Sequence, residues 1–152
     1  VFDFANDLNQ TVSCEKADHT TEPDCLMAEN SWGAISWISP LKAKPEFDFS
    51  KREQLCFYSC NNTFISQEDI SKLYSDFVKT NFISLYSATQ PWDDFAESFA
   101  YYLMWKNLKT PYFVNTQQGM QLDIIDQLNS PRFAEKYNYI DNLLKNKNLK
   151  YP

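Results

Sequence analysis

The sequence predicts a mainly α-helical domain with a small β element. Three stretches of this 152-residue chain, 66–80, 91–106 and 131–147, repeat apolar residues at three- and four-residue intervals. Each opens on a helix-start pattern, and alternation suited to strands is weak and short. The length fits one domain spanning 1–152, and with 43% hydrophobic and 16% aromatic residues it suffices for a real core.

In chain order, Val1 to Leu8 carries apolar residues at 1, 2, 4, 5 and 8, compatible with the end of a helix, but it has no start signal of its own. From Gln10 to about Leu55 turn formers, Trp, Pro and Cys dominate without a sustained period. This predicts an irregular excursion, within a 10–62 insertion, pinned by disulfides and containing a short strand between Trp32 and Ile38. Ser66-Gln-Glu-Asp69 is a variant capping box opening a helix to about Thr80, with Ile70, Leu73, Tyr74, Phe77 and Val78 on one face. Pro91 reads as a first-turn proline with Gln90 or Thr89 at the cap, and its helix runs to Lys106. Pro111 to Thr116 can pair with Met120 to Ile124 around Gly119 in a hairpin. Ser130-Pro131 starts a last helix with Phe133, Tyr137, Ile140 and Leu144 inward.

The Pro91 helix is the unusual one. At about 100° per residue, Trp92, Phe95, Ala96, Phe99 and Leu103 form its apolar side, while Asp93 and Glu97 stack on a stripe continued by Ala100 and Met104. The helix dipole favours Asp93 and Asp94 in a first turn without further chemistry. It does not explain Glu97, one turn deeper beside two alanines that would admit another backbone; carboxylates at such a contact need a cation, a metal or strong donors.

Composition excludes several classes. Net charge is −6 with scattered Lys and Arg, so no basic groove argues for nucleic acid. The longest purely apolar run, Phe99 to Trp105, is far short of a membrane span. Four cysteines suit two disulfides, most simply Cys14–Cys25 and Cys56–Cys60, although three pairings are possible; a four-thiolate zinc site would favour paired two-residue spacings. Disulfides imply a secreted or periplasmic location. The start at Val1, without initiator methionine or signal-type apolar core, looks like a mature or trimmed product. Asn9 and Asn61 lie in Asn-x-Thr sequons, Asp3, Asp7 and Glu15 lack the alternating oxygen ligands of a calcium loop, and His19, the single histidine, reads as a loop residue.

Ser84-Leu-Tyr86, Thr89 and Asp93-Asp94-Phe95-Ala96-Glu97 together resemble the C-terminal signature of the anthrax lethal factor-like gluzincin zinc peptidases, in which a Tyr lies seven residues before an acidic ligand that begins an acid-x-Phe-Ala-Glu run. Val1-Phe-Asp-Phe-Ala is similar to the residues directly after the second histidine of that family's HExxH helix, and Asn129 to Leu144 to its closing helix. The resemblance omits 10–62. It implies the helical C-terminal part of a zincin-like catalytic domain that hydrolyses peptide bonds with metal-activated water.

Carried over by position, Asp93 would be the third protein ligand of Zn²⁺, with Asp94 as an alternative, Glu97 would orient a ligand histidine, and Tyr86 would hydrogen-bond the oxyanion. The family usually has Glu where this chain has Asp93. The chain also contains no HExxH, so that motif is expected just upstream of Val1, and the isolated chain is expected to be inactive. Its partners would be that upstream segment and a peptide or protein substrate. Two other readings remain: a non-catalytic binding module on the same scaffold without metal, and an unrelated disulfide-stabilised helical domain.

Overall fold

The computed structural model describes residues 26–58, 60, 65–108, 110–115, 119 and 121–146. The expected Val1–Leu8 helix end, the Cys14–Cys25 pair, His19, the acidic residues 3, 7 and 15, and Asn9 and Asn61 lie outside these residues. Among the described residues the order is a helical turn α1 (Gly33–Ser36), strands β1 (Trp37–Ser39) and β2 (Lys42–Ala43), a 3-10 turn (Arg52–Gln54), helices α2 (Gln67–Phe77) and α3 (Pro91–Asn107), strands β3 (Phe113–Asn115) and β4 (Gln121–Asp123), a helical turn α4 (Ile124–Gln127), a second 3-10 turn (Pro131–Phe133) and helix α5 (Ala134–Asn146). The fold is mainly helical, as the periodicity predicts.

Local chemistry explains the element starts. Ser66, extended at φ −65° and ψ 153°, accepts from the Asp69 amide and caps α2. Pro91 occupies the first turn of α3 after Gln90. Asp123 accepts from the amides of Ile125 and Asp126, ending β4 and starting α4. The hairpin forms as expected, antiparallel with Val114 opposite Leu122, and Gly119 takes φ 85°, which a side chain would resist.

The excursion is short in its elements but not peripheral. Its Trp32 and Trp37 are 0% and 1% exposed. Trp32 meets Phe95 of α3 and Tyr139 of α5 edge-on at 5.3 and 5.6 Å, while Trp37 packs on Phe82 at 5.2 Å. The segment expected as a strand from Trp32 is helical over Gly33–Ser36 and extends only from Trp37. Burial of two indoles, each worth more than an aliphatic side chain, makes this region part of the core.

The buried face of α3 also differs from the expected one. Pro91, Asp94, Phe95, Ser98 and Tyr102 are buried, while Ala96 and Ala100 are exposed rather than packed inward. Counting apolar residues displaces the stripe by about one position, because Asp94 and Ser98 are polar and do not count as interior.

Candidate functional site

Two adjacent carboxylates at the start of α3 have separate surroundings. Asp94 is fully buried: its Oδ1 accepts from Lys136 Nζ at 2.6 Å and Ser98 Oγ at 3.3 Å, and its Oδ2 accepts from Trp37 Nε1 at 3.2 Å. The Lys136 ammonium, also 0% exposed, lies over the rings of Phe82 and Trp32 at 4.9 and 5.4 Å. Burial pushes the Asp94 carboxyl up and the Lys136 ammonium down, and their contact opposes both shifts. Sequence reasoning missed Lys136. Its signal was position: it falls between Phe133 and Tyr137 on the inward stripe of α5, where a lysine needs an internal acid.

Asp93, about 100° further round the helix, is partly exposed. Its Oδ2 lies 2.9 Å from Thr89 Oγ1 and 2.8 Å from Gln90 Nε2. Thr89 Oγ1 is also 2.7 Å from the Tyr86 carbonyl, and its one proton serves either acceptor at a time. The chain at Tyr86 folds back because the Thr89 amide donates to the Tyr86 carbonyl at 3.1 Å, a turn that carries the ring to the start of α3. Desolvation, and then the nearby Asp93 carboxylate, push the Tyr86 phenol up to about 12, so it remains a proton donor at neutral pH. Phe57 and Tyr58, on the loop closed by the Cys56–Cys60 disulfide (Cα–Cα 5.6 Å), flank the Tyr86 ring edge-on at 5.1 and 6.0 Å.

Glu97, one turn along from Asp93, accepts from Ser84 Oγ at 2.9 Å. That serine is oriented by Ser87, whose amide donates to Ser84 Oγ at 2.9 Å and whose hydroxyl donates to the Ser84 carbonyl at 2.8 Å. Since Ser84 Oγ accepts from an amide, its single proton is directed at Glu97. The loop 84–89 therefore touches both Asp93 and Glu97.

An oxygen donor such as Asp93 is a competent zinc ligand, and both of its described side-chain donors engage Oδ2 alone. Among the described residues, however, no group of three or more His, Cys, Asp or Glu gathers to hold a metal. These residues fit one ligand position of a zinc site, not a complete site. Nor, among them, is any helix long and apolar enough to cross a membrane.

No curated protein and no solved structure matches the chain. The model of the family described as "Putative zinc-binding metallo-peptidase" (Peptidase_Mx) matches residues 67–149. That match takes in α2, the 84–89 loop, α3 with its two carboxylates, the hairpin and α5, which is more than half of the sequence, and the chain therefore belongs to this metallopeptidase family.

Proposed function

We propose that the chain takes part in zinc-dependent hydrolysis of peptide bonds, with Asp93 as the third protein ligand and two imidazoles coming from an HExxH segment that precedes Val1. The observation that carries this reading is the turn from Tyr86 to Thr89, whose hydroxyl reaches both the Tyr86 carbonyl and Asp93, so that one carboxylate oxygen is braced by Thr89 and Gln90 beside the tyrosine. Zinc bound in such a site supplies a water-derived nucleophile at neutral pH and polarises the scissile carbonyl. Asp93 would supply a carboxylate oxygen to the zinc, and the two donors on its Oδ2 limit its rotation. Tyr86, protonated at neutral pH, donates to the carbonyl oxygen as that oxygen gains negative charge. Glu97, aimed by Ser84, accepts the ring N–H of a ligand histidine and fixes its tautomer.

Asp94 is the less suitable ligand. Turning it to a metal would leave the Lys136 ammonium buried without a counter-charge, a cost of several kcal/mol. The gluzincin assignment rests on the spacing of Tyr86, Asp93 and Glu97. A secreted or periplasmic location is supported by the Cys56–Cys60 disulfide. The alternative is a metal-free binding module on the same scaffold.

The test uses the protein translated from the whole gene. Zinc content and peptide hydrolysis are measured for the parent, Asp93→Ala and Tyr86→Phe. Asp93→Ala loses both zinc and hydrolysis, whereas Tyr86→Phe keeps zinc and loses about 10²- to 10³-fold in turnover, the cost of one oxyanion donor. A parent protein that holds no zinc, or an upstream frame without His-Glu-x-x-His, establishes the binding-module reading instead.

A further inference from the structure

Tyr86 faces two things at once. Besides Asp93, it borders an apolar cavity of about 220 Å³ walled by Tyr74 and Phe77 of α2, Tyr101 of α3, Val114 of β3 and Ile124 of α4. The cavity also reaches Ser84, the residue that donates to Glu97. The link from Glu97 to the loop 84–89 therefore ends at this cavity, and Tyr86, at the other end of the turn from Thr89 that braces Asp93, lines it as well.

Its size and lining limit what can occupy it. Pockets for whole small molecules run from about 300 to 1,000 Å³, so this one is too small for such a ligand, while it exceeds the roughly 30 Å³ share of a single water several times over. It is the scale of one large side chain. A charged group would exchange its hydration for rings, aliphatic walls and the hydroxyls of Ser84 and four tyrosines, with no opposite charge in the lining to offset the loss. An aromatic or branched aliphatic group would instead find edges and faces, for Tyr101 and Tyr112 already sit 5.7 Å apart in a tilted pair and Phe57 meets Tyr86 edge-on at 5.1 Å.

We propose that this cavity is a selectivity pocket that takes one large apolar side chain, of phenylalanine or leucine type, from a peptide running past Tyr86; it rests on the proposed roles of Tyr86 and Asp93. The peptide backbone crosses the rim at Tyr86 and Ser84, which sets the bound residue next to the bond to be cleaved. Acidic and basic side chains at that position are rejected.

Binding tests the pocket without depending on zinc. The full-length protein carrying Asp93→Ala is titrated with acetyl-Gly-Phe-Gly-amide and its Leu, Gly and Glu counterparts, followed by NMR chemical shifts. The Phe and Leu peptides bind on the order of tenfold or more tightly than the Gly peptide, as burial of one such side chain implies, with shifts centred on Tyr101, Val114 and Ile124. Val114→Trp fills the cavity and brings the four peptides to parity, whereas Phe113→Trp, on the other face of β3 and 49% exposed, leaves the preference intact. Tyr101→Ala enlarges the cavity and moves the preference toward a Trp peptide, a readout that survives if Val114→Trp does not fold. Equal binding of all peptides, or a preference that neither cavity variant alters, overturns the proposal. If the preference is present but the parent protein lacks zinc and hydrolysis, the pocket stands and the peptidase reading falls; if hydrolysis is present with a side-chain preference blind to both variants, the pocket alone falls.

Discussion

Asp93 and Asp94 are neighbours in sequence and near-opposites in surroundings. Asp94 points into the core, where Lys136, Trp37 and Ser98 occupy its oxygens and two aromatic rings cover the lysine. Asp93 points to a partly exposed edge, where a hydroxyl and an amide hold one oxygen and a phenol stands beside it. One residue of helical rotation separates a carboxylate committed to joining α3 to α5 and β1 from one that is braced yet able to meet something else. The contrast teaches that the inner acid fixes the helix and thereby aims the outer one. A carboxylate proposed as a ligand needs such a frame, since loose ligands lose affinity.

The comparison breaks hardest at Lys136. Lys136→Met leaves the Asp94 carboxylate in the core without its cation, and such a loss costs about 3–5 kcal/mol. Asp93→Ala, at a partly exposed position, changes stability by roughly 1 kcal/mol or less. Urea unfolding midpoints of the two variants measure the difference, and the double change Asp94→Leu with Lys136→Met regains most of the loss because hydrophobic replacement of a whole buried pair is often neutral. Equal midpoints for Lys136→Met and Asp93→Ala would remove the structural role given to the inner acid.

A smaller effect sharpens the outer side. Glu97→Gln in the full-length protein keeps the fold and the Ser84 contact but lowers zinc affinity by about 10- to 100-fold, the usual cost of disturbing a group that orients a ligand. Ser84→Ala, which frees Glu97 to rotate, moves affinity in the same direction by less. Competition with a chelator reads both. Unchanged affinity in Glu97→Gln assigns that carboxylate to the surface.

Much of this was legible in the sequence. The starts of α2 and α3 follow from Ser66 and Pro91, and the hairpin follows from alternation around Gly119, because caps and turns act within a few residues. The spacing of Tyr86, Asp93 and Glu97 marks the outer edge of α3 from the residues alone. Long-range partners were not legible. Nothing local tells Asp94 that a lysine 42 residues away will meet it, and the resulting buried pair hid the true inner face of α3 behind polar letters. The same blindness applied to Trp32 and Trp37: a stretch without period reads as excursion, yet bulky indoles are buried by partners on α3, α5 and the 80–88 loop, which periodicity cannot see.

The smallest effect concerns carboxylates that are neither inner nor ligand-like. On α2 the hydrogen bond from Ser66 holds the Asp69 carboxyl below its usual value, and hydrogen bonds from Lys72 and Lys79 do the same for Asp76. A carboxyl whose folded pKa lies below the unfolded one binds fewer protons in the folded state. Its stabilisation is therefore complete above the ordinary carboxylate value of 3.8 and is lost as pH falls from there through the folded pKa. Both groups are at the surface, so salt weakens the effect. Ser66→Ala removes the cap, about 1 kcal/mol at neutral pH, and with it the Asp69 share of the acid loss. Thermal midpoints at pH 7 and pH 3 then differ less in the variant than in the parent, and a variant with an unchanged or steeper acid loss would mean that Ser66 does not hold Asp69 in its charged form.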